Sequence, residues 1–395
     1  MNKENKKIIY LNNAATSFPK PKEVKDAVLN TLDSFIGLER GTENKILSAE
    51  HFLLKARNAV AKFFSVANTN RVVFTQNCTE SLNMAIKGVL RNGDHVIMDN
   101  TTHNSIARPL ITLENEGFIT LSRLSPKKDF YFDLDEIKSL VSSKTKLIVI
   151  AHASNVTGII QDIKKIGSLI KDRECLFLVD AAQSAGQIPI NIQEMYIDLL
   201  ATAGHKSLFG PSGTGILYVS DKVKDLKTIK EGGTGSKSES LTQPTSFPHI
   251  LESGTHNIIG IAGLVAGIEF INKTGLKNIR EHEVSLTQRL IERIKKFPGV
   301  KIYGLTDATK ICSVVSITID GFDVTDCGQI LADSFNIITR AGLHCAPLAH
   351  DFLNTKNSGG TLRISPGYFN TLSEIDCLIE AISELVACQT AKLTA

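Results

Sequence analysis

Short runs of apolar residues recur through the first half of the chain, each followed by a stretch whose apolar positions fall at helical spacing. The runs at 72–75 (VVFT), 95–100 (HVIMDN), 146–151 (KLIVIA), 176–180 (LFLVD) and 197–201, with a further one in GTGILYVS, read as strands. Strands apolar on both faces that alternate with crossover helices predict an α/β fold, a mostly parallel sheet covered on both sides. Helices are predicted over 22–35, opened by Pro19-Lys20-Pro21, over 48–64, from the turn holding Thr79 and Glu80, and over 162–173. A polar, glycine-marked loop is expected at Arg40-Gly41.

Residues 231–257 lack any such pattern and are rich in Gly, Ser, Thr and Pro, which predicts one long loop. A compact domain seldom carries so long a loop unless the loop has a function. Beyond it come helices over 257–273 and 276–297. A smaller α+β unit follows, with strands at 312–319, 337–341 and 361–365 and helices at 324–335 and 373–387. The expected division is a large domain over 18–256 and a small one over 257–395 that includes the N-terminal segment 1–17.

Composition narrows the function classes. The 395 residues are 42% hydrophobic and 22% charged, with a net charge of +3 and no basic stripe, so no nucleic-acid partner is expected. The apolar stretch 258–270 is too short and glycine-rich for a membrane span, and the N-terminal segment lacks the sustained apolar core of a signal peptide. Seven cysteines without a CxxC pair point to free thiols in a reducing, cytoplasmic compartment, and no metal site is expected. Cys175, Cys312, Cys327, Cys377 and Cys388 lie in or beside apolar elements and read as small buried hydrophobes.

The chemistry concentrates between LFLVDAAQ and ATAGHKSLFG. Asp180 closes an apolar run, and Lys206 follows 26 residues later in a turn with Gly204 and His205. Separately these are a helix cap and a solvated turn lysine. Together they are the layout of a pyridoxal 5'-phosphate site, where a lysine amine holds the cofactor's aldehyde and a carboxylate keeps its ring nitrogen protonated. Thr79 and Glu80 stand in the first turn of a helix that follows a strand, a position suited both to a plain cap and to cradling a phosphate. His103 follows a strand end, where a lone histidine is more often a cap than a catalyst. Cys345 lies in a loop, RAGLHCAPLAH, with Arg340 and Arg363 nearby if the flanking strands pair, and cationic neighbours favour a nucleophilic thiolate.

These motifs resemble the class V aminotransferase group of fold-type I pyridoxal-phosphate enzymes, particularly cysteine desulfurases and selenocysteine lyases. The resemblance runs from about Ile9 to the C-terminal helix. It implies a seven-stranded large domain and assigns Asp180 to the ring nitrogen, Ala182 beneath the ring and Gln183 to its phenolic oxygen. His205, Thr79 and Glu80 fall to the phosphate region, Lys206 to the aldehyde, His103 to stacking and proton exchange, and Asn155 to the cofactor oxygen and the substrate. Arg363, with Arg340 and Asn13, falls to substrate binding, with Arg363 gripping the carboxylate. Thr255 is implied to reach the phosphate of a twofold-related subunit, hence a homodimer. The loop around Cys345 resembles the short RxGHHCA loop of second-group cysteine desulfurases, with Leu343 in place of the first histidine. Asn12, Cys78 and Ala203 also depart from the family pattern; Thr202 or Ser207 are candidates to supply the hydroxyl that Ala203 lacks.

The activity implied is conversion of L-cysteine to L-alanine, with the sulfur taken by Cys345 as a persulfide for an acceptor protein in iron–sulfur or thiocofactor assembly. Rival readings are a selenocysteine lyase acting on L-selenocysteine, another β-lyase or aminotransferase, and a cofactor-less sulfur-assembly scaffold.

Overall fold

The computed structural model describes residues 7–34, 49–235 and 239–394. The expected loop at Arg40-Gly41, the last residue of the first predicted helix and the first of the second lie outside them. In chain order the first half holds β1 (Ile9–Tyr10), α1 (Lys22–Leu32), α2 (Ala49–Phe64), β2 (Val72–Thr75), α3 (Cys78–Val89), β3 (Asp94–Asp99), α4 (Asn104–Asn115), β4 (Ile119–Leu124), α5 (Leu134–Leu140), β5 (Thr145–Ala151), α6 (Ile163–Ile170), β6 (Leu176–Asp180), β7 (Leu199–Ala203) and β8 (Gly215–Val219). The second half holds α7 (Ile258–Thr274), α8 (Leu276–Ile294), β9 (Val300–Tyr303), β10 (Val315–Ile319), α9 (Val324–Phe335), β11 (Ile337–Ile338), β12 (Arg340–Gly342), α10 (Pro347–Phe352), β13 (Thr361–Ile364) and α11 (Leu372–Thr394).

Seven strands form the large sheet, in the order β2-β8-β7-β6-β5-β3-β4, parallel throughout except that β8 runs against both its neighbours. The apolar run 176–180 explains its central place. Successive side chains of a strand point to opposite faces, so Phe177 and Val179 join the core shared with α2, α6 and α7, while Leu176 and Leu178 join that shared with α3 and α4. The expected boundary at residue 257 falls before α7, yet Ile261, Leu264 and Ile268 of α7 sit in the core of the large sheet. No single helix among the described residues is long and apolar enough to cross a membrane; α7 and α8 meet at 83° across Gly275, whose φ of +86° closes α7.

The smaller sheet, β12-β13-β10-β9, is antiparallel and buries Ile317, Leu362 and Ile364 against Leu290, Leu331 and Ile382 of α8, α9 and α11. β1 pairs in parallel with β11, which sends the N-terminal segment across the smaller unit and back to the large sheet. The expected strand at 337–341 is two short strands, one serving β1 and the next serving β13. β1 falls in the short strand expected within 7–16 and α4 in the helix expected to start at His103, whereas β4, α5, β9 and α10 carried no expectation. β4 alternates polar with apolar residues at the sheet edge, and so lacks the continuous apolar run of the central strands. Cys175, Cys312 and Cys327 are buried as expected, but Cys377 and Cys388 are exposed on α11, because a helix on the outside of a domain turns one face to water.

Glu283 of α8 is buried at 2% exposure, and its carboxyl accepts the Ser313 hydroxyl at 3.3 Å. Burial raises its pKa from 4.5 to about 8. The folded state therefore holds a proton that the unfolded chain has released by neutral pH. Stability is undiminished below about pH 4.5 and falls as pH rises to about 8, at a cost of roughly 3 kcal/mol at pH 7. Glu283→Gln, neutral in both states, will flatten this slope and raise the melting temperature at pH 8 by several degrees; equal melting curves from pH 5 to 8 for both proteins would contradict it.

Candidate active site

A cavity of about 230 Å³ opens at the carboxyl ends of the central strands, the place where ligands bind on open α/β sheets. Local hydrogen bonds set its walls. After β2, Asn77 caps α3, its side-chain oxygen accepting the Glu80 N–H at 2.9 Å and its carbonyl the Ser81 N–H at 3.2 Å. Of the four N–H groups at this helix end, those of Cys78 and Thr79 remain for a ligand, at the positive end of the helix dipole. Gly215 of β8 makes room for this turn: a Cβ there would lie 2.6 Å from the carbonyl carbon of Asn77.

After β3, the Asp99 carboxylate accepts both the N–H and the hydroxyl of Thr101, and the turn this fixes delivers His103 to the start of α4. The His103 Nδ1 accepts the Ser105 N–H at 3.1 Å. Burial first, then the cations of Lys206, Arg340, Arg363 and Arg108, push its pKa down to about 4. The ring is neutral at physiological pH.

After β6, Asp180 turns its carboxylate back onto its own chain, with Oδ1 accepting the Ala182 N–H at 2.8 Å and the Cys78 thiol at 3.6 Å. Burial raises its pKa, opposed by those contacts and by Lys206. Lys206 lies in the turn after β7, closed by Phe209 N–H to Lys206 C=O at 2.8 Å. Burial lowers its pKa, opposed by the Asp180 and Cys78 side chains. The N-terminal segment pins this turn: the Thr16 hydroxyl and the Lys20 amine donate to the His205 carbonyl, and the Ser17 hydroxyl to that of Lys206. Sequence reasoning missed this support, whose only signal is a polar run after the first strand.

The substrate side is lined by Asn155, Arg340, His344 and Arg363. Arg340 and Arg363 face each other across β12 and β13. Arg363 is 1% exposed and donates to the Asn155 carbonyl at 3.0 Å and the Asn12 side-chain oxygen at 3.2 Å, with Nε unpaired. Burial and the Arg340 charge press its pKa down to about 9. Among the described residues neither guanidinium meets a carboxylate, so this wall is built to receive an anion. Arg340 also holds Cys345, donating from Nη2 to Sγ at 3.4 Å. Cys345 is exposed and, like His344, has a positive φ (59° and 50°). The opposing turn needs glycine: a Cβ on Gly360 would lie 2.2 Å from the Gly342 carbonyl oxygen.

The cavity thus gathers Lys206, Asp180, Ala182, Gln183, His205, Thr79, His103, Asn155, Arg340 and Arg363 from the expected set, with Cys345 beside it. Two expected residues do not join. Glu80 turns away, its carboxylate accepting the Gln76 N–H at 2.6 Å and the Lys230 amine at 3.2 Å, as a helix-capping residue does. Asn13 spends its amide on the Ser365 carbonyl and the Asn370 side chain; its neighbour Asn12 reaches Arg363 instead. Thr255 lies outside this cavity, exposed on a groove with Arg57 and Glu252. Neither candidate for the hydroxyl missing at Ala203 lines the cavity: Thr202 donates to the Ala181 carbonyl and Ser207 accepts from Gln187. Ser105 and Ser154, also on the wall, were not expected.

The residues fit pyridoxal phosphate on the structure's own terms. An amine and a buried carboxylate share one cavity with an imidazole and the small Ala182, while free helix N–H groups and the unpaired His205 Nδ1 stand where an anion needs donors.

Comparison with known proteins shows the family and the fold. Residues 9–378 match the aminotransferase class-V family. A probable cysteine desulfurase of Methanothermobacter thermautotrophicus is 34% identical over 382 residues, 95% of this chain and 94% of that protein. One of Pyrococcus abyssi is 30% identical over 96% of this chain and 94% of that protein. Among solved structures, the apo cysteine desulfurase from Thermococcus onnurineus NA1 superposes with a TM-score of 0.88 at 31% identity, covering 96% of this chain and 95% of that one. A cysteine desulfurase from Escherichia coli superposes with a TM-score of 0.85 at 27% identity, covering 96% and 95%.

Proposed function

Since the chain belongs to the aminotransferase class-V family, we propose that it is a pyridoxal-phosphate-dependent cysteine desulfurase. The observation that carries the reading is the Cys345 thiol held by Arg340 at 3.4 Å, on the rim of the cavity that holds Lys206 and Asp180. When bound, the cofactor supplies an aldehyde that condenses with amines and a ring that withdraws electrons from the substrate's α-carbon. Lys206 would hold the aldehyde, Asp180 would serve the ring nitrogen, and Thr79, His205 and the first turn of α3 would receive the phosphate.

The chain's own groups do the rest. Arg363, unbalanced by any carboxylate, binds that of L-cysteine, and Asn155 shares in placing it. The buried Lys206 amine, with a reduced affinity for its proton, moves a proton at the α-carbon. The Cys345 thiolate attacks the substrate sulfur. A sulfur–sulfur bond forms and the carbon–sulfur bond breaks; its electron pair stays on the carbon, which takes a proton and leaves as alanine. Cys345 retains the sulfur as a persulfide.

The proposal extends to a homodimer, supported by Thr255 standing exposed outside its own cavity, and to a protein acceptor that takes the sulfur for iron–sulfur assembly. It also includes a cytoplasmic location, where the seven free thiols stay reduced.

Purified enzyme loaded with pyridoxal phosphate and given L-cysteine without added thiol will release alanine and carry a persulfide on Cys345, seen by mass spectrometry. Pyruvate and ammonia in place of alanine would mark a β-lyase and refute the reading. Release from L-selenocysteine alone would mark a selenocysteine lyase.

A further inference from the structure

The family resemblance implies both stacking and proton exchange for His103, but its surroundings argue against the second. Its Nδ1 meets two donors from one residue. The Ser105 N–H donates to it at 3.1 Å, and the Ser105 hydroxyl lies 2.8 Å from it. That hydroxyl is also 2.8 Å from the Thr79 hydroxyl. A backbone N–H can only donate, so Nδ1 must be the unprotonated nitrogen. The one proton of the neutral ring then sits on Nε2.

The direction of the remaining bonds follows. With Nδ1 an acceptor, the Ser105 hydroxyl gives its proton to the ring, and its oxygen accepts from Thr79. When an anion occupies the α3 end and claims the Thr79 proton, the Ser105 hydroxyl still points at Nδ1. The arrangement at His103 is therefore the same with the anion site filled or empty.

We propose that Ser105 is a positioning residue that fixes His103 as the Nε2–H tautomer, so that this imidazole serves as a neutral stacking surface and hydrogen-bond donor. Adding a proton at Nδ1 would set two N–H groups against each other and turn the Ser105 hydroxyl away. The charged groups facing the ring, Lys206, Arg340, Arg363 and Arg108, are all cations and oppose the same event. Taking a proton at Nε2 instead would first require Nδ1 to carry one. Removing a proton from the substrate thus falls to Lys206 and not to His103. The catalytic meaning of this assignment rests on the desulfurase reading; the tautomer itself does not.

The test uses full-length protein loaded with pyridoxal phosphate and labelled with nitrogen-15 at its ten histidines, with His103 assigned by comparison with His103→Gln. The wild-type ring is expected to show a pyridine-type Nδ1 and a pyrrole-type Nε2, unchanged from pH 8 to pH 5.5. In Ser105→Ala, which keeps the N–H and the helix, the ring should protonate about tenfold more readily, a rise of about one pKa unit; Ser105→Thr should restore the wild-type titration. A proton on wild-type Nδ1 at pH 7, or a Ser105→Ala titration identical to wild type, overturns the proposal. Because the readout is the ring and not turnover, a protein inactive on cysteine would refute the functional reading and leave this one standing.

Discussion

Lys206→Ala will purify colourless, lose the visible absorption of lysine-bound pyridoxal phosphate, and release alanine from cysteine more than about 10⁴-fold more slowly. The size follows from two roles vested in one amine. It holds the cofactor's aldehyde, and it is the base at the substrate carbon, a part the proposed tautomer denies to His103. No folding defect will account for the loss. Burial disfavours the Lys206 ammonium more than Asp180 and Cys78 favour it, so removing it relieves the cofactor-free protein of a buried cation, and its melting temperature will not fall. Absorbance with a thermal melt of both proteins checks this, and a variant that kept its colour and turned over cysteine would end the assignment.

Cys345→Ser will separate sulfur transfer from everything before it. The residue is exposed and makes one polar side-chain contact, to Arg340, so stability and cofactor colour should match wild type. Alanine release from cysteine should drop by on the order of 10³-fold or more, since a hydroxyl is a far weaker nucleophile toward sulfur than a thiolate. The persulfide should vanish from the mass spectrum. Selenocysteine, with its weaker bond to carbon, should lose less. Unchanged release of alanine from cysteine would exclude the persulfide route.

The sequence foretold most where one residue's chemistry and its place at a strand end coincide. Asp180, Lys206 and His103 could be placed because β3, β6 and β7 are continuous apolar runs whose carboxyl ends are easy to mark. Elements with mixed patterns were not visible: β4 alternates at the sheet edge, and α10 is six residues long. Side-chain direction was the other gap. Asn12 and Asn13 are adjacent and alike, yet only the pairing of residue 12 with Ser365 turns its side chain to Arg363. Glu80 and Thr79 share a helical turn, but the Gln76 N–H and the Lys230 amine draw the Glu80 carboxylate outward. Ser365 and Lys230, which decide these directions, lie more than a hundred residues from Asn12 and Glu80.

The segment bearing the nucleophilic sulfur is short and held at both ends. Residues 343–346 span the gap from β12 to α10. The Asn104 N–H clasps the Cys345 carbonyl at 2.8 Å, and the His344 ring is buried against Thr361. Four residues at about 3.5 Å each give little tether even when pulled straight, and these are not straight. The sulfur cannot be swung out into solution like cargo on a crane arm. On the proposed transfer of sulfur to a protein, the acceptor must therefore come to the exposed thiol at the cavity rim, because the thiol has too little tether to travel to the acceptor.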